Sequence, residues 1–400
     1  MNQMIIEVDK NSNFFIIHPP ENTSQKNTPL TISAILITKD EERCISRCIS
    51  SVLDKVDEII ILDTGSNDKT IEIIKSFDNK KIKLFFSEWN DDFSQARNLA
   101  LSKAIFDFII FIDSDEELIS SKDELIYAFN LLNIQDNSDE YVICPEITDH
   151  NKNKCIGVPR GFKNKKGFYF FGFVHEELRS KYYKTLFSIH LKIKIKHDGY
   201  EKSVILNKNK LERNISLIRK NMLMEPLNIR WKYFYLRDSF DTQSPADIIT
   251  EIYKILKKDI NKQMEESNLT KSTYTFALLD ILSRAHLKNM SNPEMFFKCI
   301  ELMDSLYPEN TNSIYYRSLY HLFIWKNKSL EILNEIISSY NKPQSNFGMI
   351  SSEGYHIDAI FGIYLFECGF YGKAKDILLS LDSESFHIDI LKKYSCCFNI

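Results

Sequence analysis

The feature that most constrains the fold of this chain is a short apolar run that ends abruptly in acid, Phe108-Ile-Ile-Phe-Ile-Asp-Ser-Asp-Glu-Glu117. The run is too short for a membrane span and too continuous for a half-exposed edge strand, so we expect a buried parallel strand. Asp113 and Asp115 then lie at its carboxyl end, the edge at which open α/β sheets bind ligands. Two carboxylates one residue apart can hold a divalent cation against a phosphate. The alternative is a strand followed by a solvated acidic turn that caps the next helix.

Length and composition exclude several classes of protein. A chain of 400 residues predicts two or three domains, and a net charge of −4 argues against a nucleic-acid-binding protein. Residues 1–29 lack the pattern of a signal peptide, and no apolar run reaches membrane length, so we expect a cytoplasmic protein. The eight cysteines form no C-x-x-C pair, which indicates neither a zinc site nor a disulfide framework. Cys44 and Cys48 lie on an apolar helical stripe and are expected in the core.

From Leu30 onward, strands alternate with helices. After an N-terminal extension, residues 1–29, the β-branched run Thr31–Ile37 predicts a strand, and a helix with a periodic apolar stripe follows. Further strands are expected at Glu58–Leu62 and Ile82–Phe86. This alternation predicts a right-handed, parallel, nucleotide-binding sheet.

A second carboxylate, Asp63, follows a buried strand in the same way as Asp113. Gly65 lets the backbone come close to a ligand there, while Ser66 and Asp68 can cap the next helix. A sugar or base with paired donors would suit Asp63. An Asx-turn with an N-cap is the alternative, and for this motif alone it is the better interpretation.

Arg97 lies in the run Trp89–Asn98, where Ser94 is the expected N-cap of a helix. A cation in the first turn opposes the helix dipole, so its presence suggests an anionic partner, either Asp63 or a phosphate. The alternative is an arginine on the surface without a special role.

Two later segments end in titratable groups. His175, Glu176 and Glu177 close the aromatic run that begins at Gly167, where burial can raise a carboxyl pKa towards that of a working base. Downstream, a strand that alternates apolar and basic residues ends at His197. A lone histidine at a strand end is more often structural than a ligand.

Beyond residue 205 the pattern is helical, and Pro226 and Pro308 each follow an amphipathic run as a helix stop should. The last third has small and apolar residues at the spacings of the helix-turn-helix tetratricopeptide repeat. These residues are Gly362, Leu365, Gly369, Ala374, Leu378 and Leu381. Trp231 and Tyr235 suggest an earlier, degenerate unit.

Taken together, the motifs resemble those of family 2 inverting glycosyltransferases with the GT-A fold. The ordered set is Asp40-Glu41, Asp63–Asp68, Phe93–Asn98, Phe111–Asp115, Val174–Glu176 and His197–Tyr200. The resemblance implies an α/β, Rossmann-like GT-A domain at 30–204, followed by an all-α tetratricopeptide-like domain at 205–400. Within the family, the chain is most similar to the sublancin-type peptide S-glycosyltransferases, which add a sugar to a cysteine of a bacteriocin precursor. That narrower resemblance uses the Asp92–Asn98 motif, the Val-His-Glu-Glu element and the run from Arg213 through Glu225-Pro226 to Trp231.

The resemblance assigns roles on the donor side. Glu41 and Asp63 match positions that meet the uracil and ribose of a UDP-sugar, with Arg97 nearby. Asp113 matches the ribose-side acid of the Asp-x-Asp motif. Asp115 matches its ligand for Mg²⁺ or Mn²⁺, and His197 resembles the histidine that completes the metal site. The remaining residues of the implied nucleotide-sugar site are Thr38, Gly65 and Ser114. Asp40 departs from the asparagine that this branch often has.

On the acceptor side, Glu176 is the first choice for the catalytic base and His175 the second. The implied partner is a bacteriocin precursor peptide with an acceptor cysteine, or serine or threonine, and a homodimer is expected from the resemblance alone. A family 2 enzyme that acts on a surface glycan remains an alternative. So does a tetratricopeptide adaptor with an inactive transferase domain, although all the implied ligands are present. A nucleotidyltransferase is less favoured, because residues 31–64 contain no glycine for a phosphate loop.

Overall fold

A computed structural model of the chain describes residues 30–134, 140–150, 152–155, 157–198, 208–290, 292–340, 353–384 and 394. The chain forms two compact units. The first runs to Thr242 and includes Ser272–Tyr274, and the second comprises Gln243–Lys271 and the chain from Thr275. The predicted extension at 1–29 and the predicted boundary at 204/205 lie outside the described residues.

The first unit is built on a mixed sheet. Its strands are β1 (Ile32–Thr38), β2 (Glu58–Asp63), β3 (Ile82–Phe86), β4 (Phe108–Phe111), β5 (Glu116–Leu118), β6 (Tyr141–Thr148), β7 (Lys154–Cys155), β8 (Gly161–Lys163) and β11 (Phe187–His197). They follow the order β3-β2-β1-β4-β8-β6-β11-β5, with β7 beside β6. A separate hairpin pairs β9 (Phe168–Phe171) with β10 (Glu177–Ser180).

The parallel half of this sheet confirms the prediction. Strands β1, β2, β3 and β4 pair in parallel, and every residue of β2 and β4 is buried. Burial on both faces explains why these strands have continuous apolar runs and not alternating ones. The strands enter this layer in one direction, so their acidic ends meet at one edge.

The helices of the first unit are α1 (Ile45–Leu53), α2 (Thr70–Ser76), α3 (Phe93–Leu101), α4 (Lys122–Ile134), α5 (Lys208–Met224) and α6 (Ile229–Asp238). The predicted stripe of α1 is confirmed, since Cys48 and its apolar neighbours at helical spacing are buried. Cys44 is buried as well, as expected of a core thiol.

Trp231 on α6 corrects one expectation. It is fully buried within the first unit, near the β9 residue Phe171, and a Cβ on Gly172 would lie 2.7 Å from its ring. Trp231 is therefore part of the unit that contains the sheet and does not begin the helical repeat.

The second unit is helical. Its helices are α7 (Pro245–Leu256), α8 (Thr275–Asn289), α9 (Pro293–Leu306), α10 (Thr311–Tyr340), α11 (Tyr355–Glu367) and α12 (Tyr371–Ser383), with a 3₁₀ turn at Glu266–Asn268. Each packs against the next along the chain. A Cβ on Gly362 would lie 2.8 Å from the Leu378 side chain, which confirms that a small residue lets α11 and α12 touch. Of the helices in the described ranges, none has the length and apolarity to cross a membrane.

Candidate active site

The carboxyl edge of the parallel strands brings the predicted nucleotide residues together. Thr38 ends β1 and pairs in register with Asp63, which ends β2. Ser114, in the loop after β4, donates its hydroxyl to the carbonyl of Ile37 at 2.7 Å. The Thr38 Oγ1 atom is buried without a hydrogen-bond partner in the described chain, an arrangement that needs an explanation such as a bound ligand.

Asp63 forms the Asx-turn that the sequence allowed. Its Oδ1 accepts hydrogen bonds from the amides of Gly65 and Ser66, both at 3.0 Å, and its Oδ2 accepts one from the Ser66 hydroxyl at 2.5 Å. Gly65 has φ +102°, a left-handed conformation that favours glycine. A nucleotide that met Asp63 would have to share these oxygens or replace the Ser66 hydroxyl.

Glu41 lies close to the acidic loop after β4. Burial is the largest effect on its carboxyl and raises its pKa, the Cys44 thiol that donates to it at 3.0 Å lowers it, and the charge of Asp115 raises it further. The negative charge of Asp115 near Glu41 marks a place where a cation or a hydrogen-bond donor would be stabilised.

The sheet topology explains how Asp115 and His197 meet. Strand β11 pairs with β5 so that His197 lies opposite Glu116, and the amide of Asp198 donates to the carbonyl of Asp115 at 3.3 Å. The His197 Nδ1 atom is 3.4 Å from Asp115 Oδ1. Asp198 is in turn held by ion pairs with Arg43 and Arg47.

This pair fits a divalent cation. In an octahedral shell with bonds of about 2.1 Å, neighbouring ligand atoms lie about 3 Å apart, so two atoms at 3.4 Å can occupy adjacent positions after a small adjustment. Within the described ranges no group of three His, Cys, Asp or Glu side chains has the arrangement of a metal site. A cation held here would therefore depend on oxygens from water or from a phosphate for its remaining positions.

Two arginines hold the acidic loop, the buried Arg160 and the half-buried Arg97. Arg97 donates to Asp113 Oδ1 at 3.1 Å and to Glu176 Oε1 at 2.5 Å, while Arg160 donates to Asp113 Oδ2 at 2.6 Å and to Glu116 at 2.7 Å. Burial opposes ionisation of Asp113, but the charges of Arg160 and Arg97 outweigh it and hold its pKa well below the usual range. For Glu116, burial dominates and raises the pKa.

The network corrects the expected surroundings of Arg97. Asp92, and not Ser94, is the N-cap of α3, since its side chain accepts from the Gln95 amide at 2.9 Å. Arg97 thus lies beyond the first turn, and its anionic partners are Asp113 and Glu176, where Asp63 or a phosphate was expected. An anionic partner was predicted correctly, but its identity depended on the tertiary fold.

The β9–β10 hairpin, with the segment that joins its strands, is fixed to three helices. The Asn98 side chain exchanges two hydrogen bonds of 2.8 Å with the backbone of Phe170. The buried Asn221 on α5 accepts from the Phe173 amide at 2.8 Å and donates to the Val174 carbonyl at 3.1 Å. Arg230 on α6 donates two hydrogen bonds to the His175 carbonyl, at 2.7 and 3.2 Å.

The two base candidates, His175 and Glu176, are adjacent but differently held. Glu176 is ion-paired with Arg97 and only 12% of its side chain is exposed. His175 Nε2 lies 2.9 Å from Asp238 Oδ2 at the end of α6. Burial raises the Asp238 pKa, but hydrogen bonds from His175 and Arg237 outweigh it and leave the pKa lowered.

Sequence reasoning missed four groups of this site: Arg160, Glu116, Asn221 and Asp238. Glu116 was visible as part of the acidic run, and Arg160 as a cation next to a glycine in a loop-rich segment. Neither feature of the sequence indicated which residue the side chain would contact. Asn221 and Asp238 had no local signal, because their importance arises only where α5 and α6 meet the β9–β10 hairpin.

Comparison with known proteins defines the class of the first unit. Residues 33–190 match the sequence model of Glycosyl transferase family 2. The chain therefore contains a family 2 glycosyltransferase domain, and its enzyme class is glycosyltransferase.

Among individual relatives, the chain is 28% identical over 332 residues to the SPbeta prophage-derived glycosyltransferase SunS of Bacillus subtilis (strain 168), covering 83% of this chain and 76% of that protein. A TPR repeat-containing protein of Synechococcus elongatus is 47% identical over 88 residues, 22% of this chain and 21% of that one. The structure of S. aureus TarS 1-349 in complex with UDP-GlcNAc aligns over 87% of this chain and 88% of that one, with 16% identity and a TM-score of 0.35.

Proposed function

We propose that this chain is an inverting, metal-dependent hexosyltransferase that transfers glucose from UDP-glucose to a cysteine side chain of a bacteriocin precursor peptide. Serine or threonine side chains are further acceptors. The observation that carries the proposal is the approach of Asp115 and His197 at the carboxyl edge of the sheet, within a family 2 domain. The similarity to the glycosyltransferase SunS over most of the chain supports the reaction class, and the resemblance to the motifs of the sublancin-type peptide S-glycosyltransferases supports the choice of acceptor.

On the donor side, Asp115 and His197 would hold Mg²⁺ or Mn²⁺. When bound, the ion supplies Lewis-acid neutralisation of the charge that develops on the departing UDP. The uridine would lie along the edge formed by β1, β2 and the loop after β4. The residues proposed to bind it are Thr38, Glu41, Asp63, Gly65, Arg97, Asp113 and Ser114.

On the acceptor side, the peptide nucleophile would attack the anomeric carbon from the face opposite UDP, with inversion. Glu176 and His175 are the candidates for the base that takes its proton. A thiol has an ordinary pKa of about 8.5, so it depends on this base less than a hydroxyl does.

The test is intact-mass analysis of a peptide with one cysteine, and of its Cys→Ser twin, after incubation with enzyme, Mg²⁺ or Mn²⁺ and UDP-glucose. We expect one hexose on the cysteine peptide and none with Asp115→Asn. We also expect metal-dependent UDP binding, measured by calorimetry, to be lost in Asp115→Asn. Asp123→Asn is the matched control, because Asp123 is an exposed acid at the start of α4.

The outcomes separate the alternatives. Unchanged UDP affinity in Asp115→Asn would remove that residue from the metal site. UDP release without peptide modification would keep the transferase and favour another acceptor, such as a surface glycan. A wild-type protein that neither binds nor hydrolyses UDP-sugar would favour the adaptor with an inactive domain.

A further inference from the structure

His175 is held in an unusual conformation by one helix. Its φ of 52° lies in the left-handed region, which strains a residue other than glycine. Arg230 holds its carbonyl, and its ring stacks on Phe234 with centroids 4.2 Å apart and planes 9° from parallel. Backbone, ring plane and ring edge are therefore all fixed by α6.

Asp238 decides which ring nitrogen of His175 carries the proton. His175 Nε2 lies 2.9 Å from Asp238 Oδ2 and 3.3 Å from an Arg237 nitrogen. A carboxylate only accepts hydrogen bonds, so the shorter contact favours a hydrogen on Nε2. The other carboxylate oxygen accepts from Arg237 Nε at 2.6 Å. In the neutral ring Nδ1 is then a lone-pair acceptor, and it makes no hydrogen bond to a described residue.

Glu176 is held differently. Its Oε1 is committed to Arg97, which also binds Asp113 of the acidic loop. A carboxylate in this position links the β9–β10 segment to the donor edge. The Nδ1 atom of His175, which makes no hydrogen bond to a described residue, is the atom that can take a proton.

We propose that Asp238 is a positioning residue of the transfer reaction, which fixes the His175 imidazole with hydrogen on Nε2 so that Nδ1 receives the acceptor proton. This inference rests on the proposed function. The acceptor sulfur or oxygen forms a bond to the anomeric carbon, and the bond from that carbon to the UDP oxygen breaks with its electron pair leaving on UDP. The proton passes to Nδ1, and Asp238 stabilises the resulting imidazolium.

The charged groups that face the ring are Asp238 and Arg237 on α6, with Arg230 on its backbone and Glu176 next along the chain. Arg237 lies 3.3 Å from Nε2 and opposes a positive charge on the ring, but it is itself neutralised by Asp238. Removing the charge of Asp238 would leave the positive charge of Arg237 next to the imidazolium. The fall in kcat should therefore be larger than the loss of one hydrogen bond would cause.

The kinetic test compares Asp238→Asn with Tyr274→Phe, using the serine peptide because a hydroxyl needs the base most. The Tyr274 hydroxyl accepts a hydrogen bond from Arg230 and makes none with His175. Tyr274→Phe therefore removes a hydrogen bond from the same region without changing those of the His175 ring. We expect Asp238→Asn to lower kcat about 100-fold or more with KM for UDP-glucose nearly unchanged, and Tyr274→Phe to change kcat little. In His175→Gly, added imidazole should restore part of the rate.

Equal, small losses of kcat in Asp238→Asn and Tyr274→Phe would overturn the proposal, as would a failure of imidazole to restore His175→Gly. A second measurement needs neither a variant nor an acceptor: ¹⁵N NMR of the wild-type imidazole. Hydrogen on Nε2 supports the proposal and hydrogen on Nδ1 overturns it. A wild-type chain with that tautomer but no transfer to any acceptor would instead refute the proposed function.

Discussion

The surroundings of Glu225 predict that the stability of the first unit depends measurably on pH. It ends the α5 region and accepts a two-pronged ion pair from Arg179 on β10, at 2.7 and 2.8 Å. Asn228 and the Trp231 indole also donate to it, each at 2.9 Å. The Arg179 hydrogen bonds are the largest cause of a Glu225 pKa lowered to about 2, against the opposing effect of burial.

The size of the effect follows from that pKa. A carboxyl whose pKa falls from 4.5 to about 2 on folding stabilises the native state by about 3 kcal/mol at neutral pH, before screening. Because 28% of the side chain is exposed, we expect about 2 kcal/mol. The folded pKa is the lower one, so this stability is complete above about pH 5 and is lost as the pH falls towards 2. Less than half of the stabilisation by Glu225 should remain near pH 3.

The assay is urea unfolding of Glu225→Gln and of wild type at pH 7, 5 and 3. Trp231 fluorescence, with Trp89 and Trp325 replaced by phenylalanine, reports on the unit that contains Glu225. Glu212→Gln on α5 is the matched control, because Glu212 is exposed and the charge change is the same. The difference between wild type and Glu225→Gln should be about 2 kcal/mol at pH 7 and should shrink by pH 3. A difference that is independent of pH, or equal to that of Glu212→Gln, would refute the reasoning.

Two further substitutions test the packing and the charge network. Gly172→Ala should lower the free energy of unfolding by about 2 kcal/mol or more, measured in the same urea assay, because Gly172 has φ +112° and a Cβ would lie 2.7 Å from the rigid Trp231 ring. Gly157→Ala, where a Cβ would meet nothing within 4 Å, is its control, and equal stability of the two variants would contradict the packing argument. Arg160→Met should lower the free energy of unfolding by about 3–5 kcal/mol, since Asp113 and Glu116 would lose their shared cation. Replacing the exposed Arg43 in the same way should have a much smaller effect, and similar losses would show that burial of the network does not matter.

The local part of this site was predictable from sequence, because a carboxylate after a continuous apolar run is a property of neighbouring residues. Asp63, Asp113 and Asp115 all end or follow buried strands, as expected. The pairing of Asp115 with His197 was not local. It required β11 to pair with β5. Hydrophobic periodicity could not predict this pairing, and only the resemblance to known motifs assigned His197 to the same site as Asp115.

Partners of buried charges could not be predicted, for a physical reason. Arg160 reaches Asp113 only because β8 pairs antiparallel with β4 and so joins an otherwise parallel layer. The choice between Asp92 and Ser94 as N-cap was equally open, since both residue types cap helices. Ser94 instead donates its hydroxyl to Asp92 at 2.7 Å, which strengthens the cap that it was expected to form.

The helices α5 and α6 determine what the β9–β10 segment can do. They supply Asn221, Arg230 and Asp238, the three groups that fix the backbone and ring around His175. The first compact unit includes both helices, so a division of the chain near residue 204 would separate the two base candidates from the side chains that orient one of them. The sheet edge, by contrast, is complete without these helices. If both proposals hold, changes at Asp115 should abolish donor binding, whereas Asp238→Asn should spare donor binding and lower kcat of transfer about 100-fold or more.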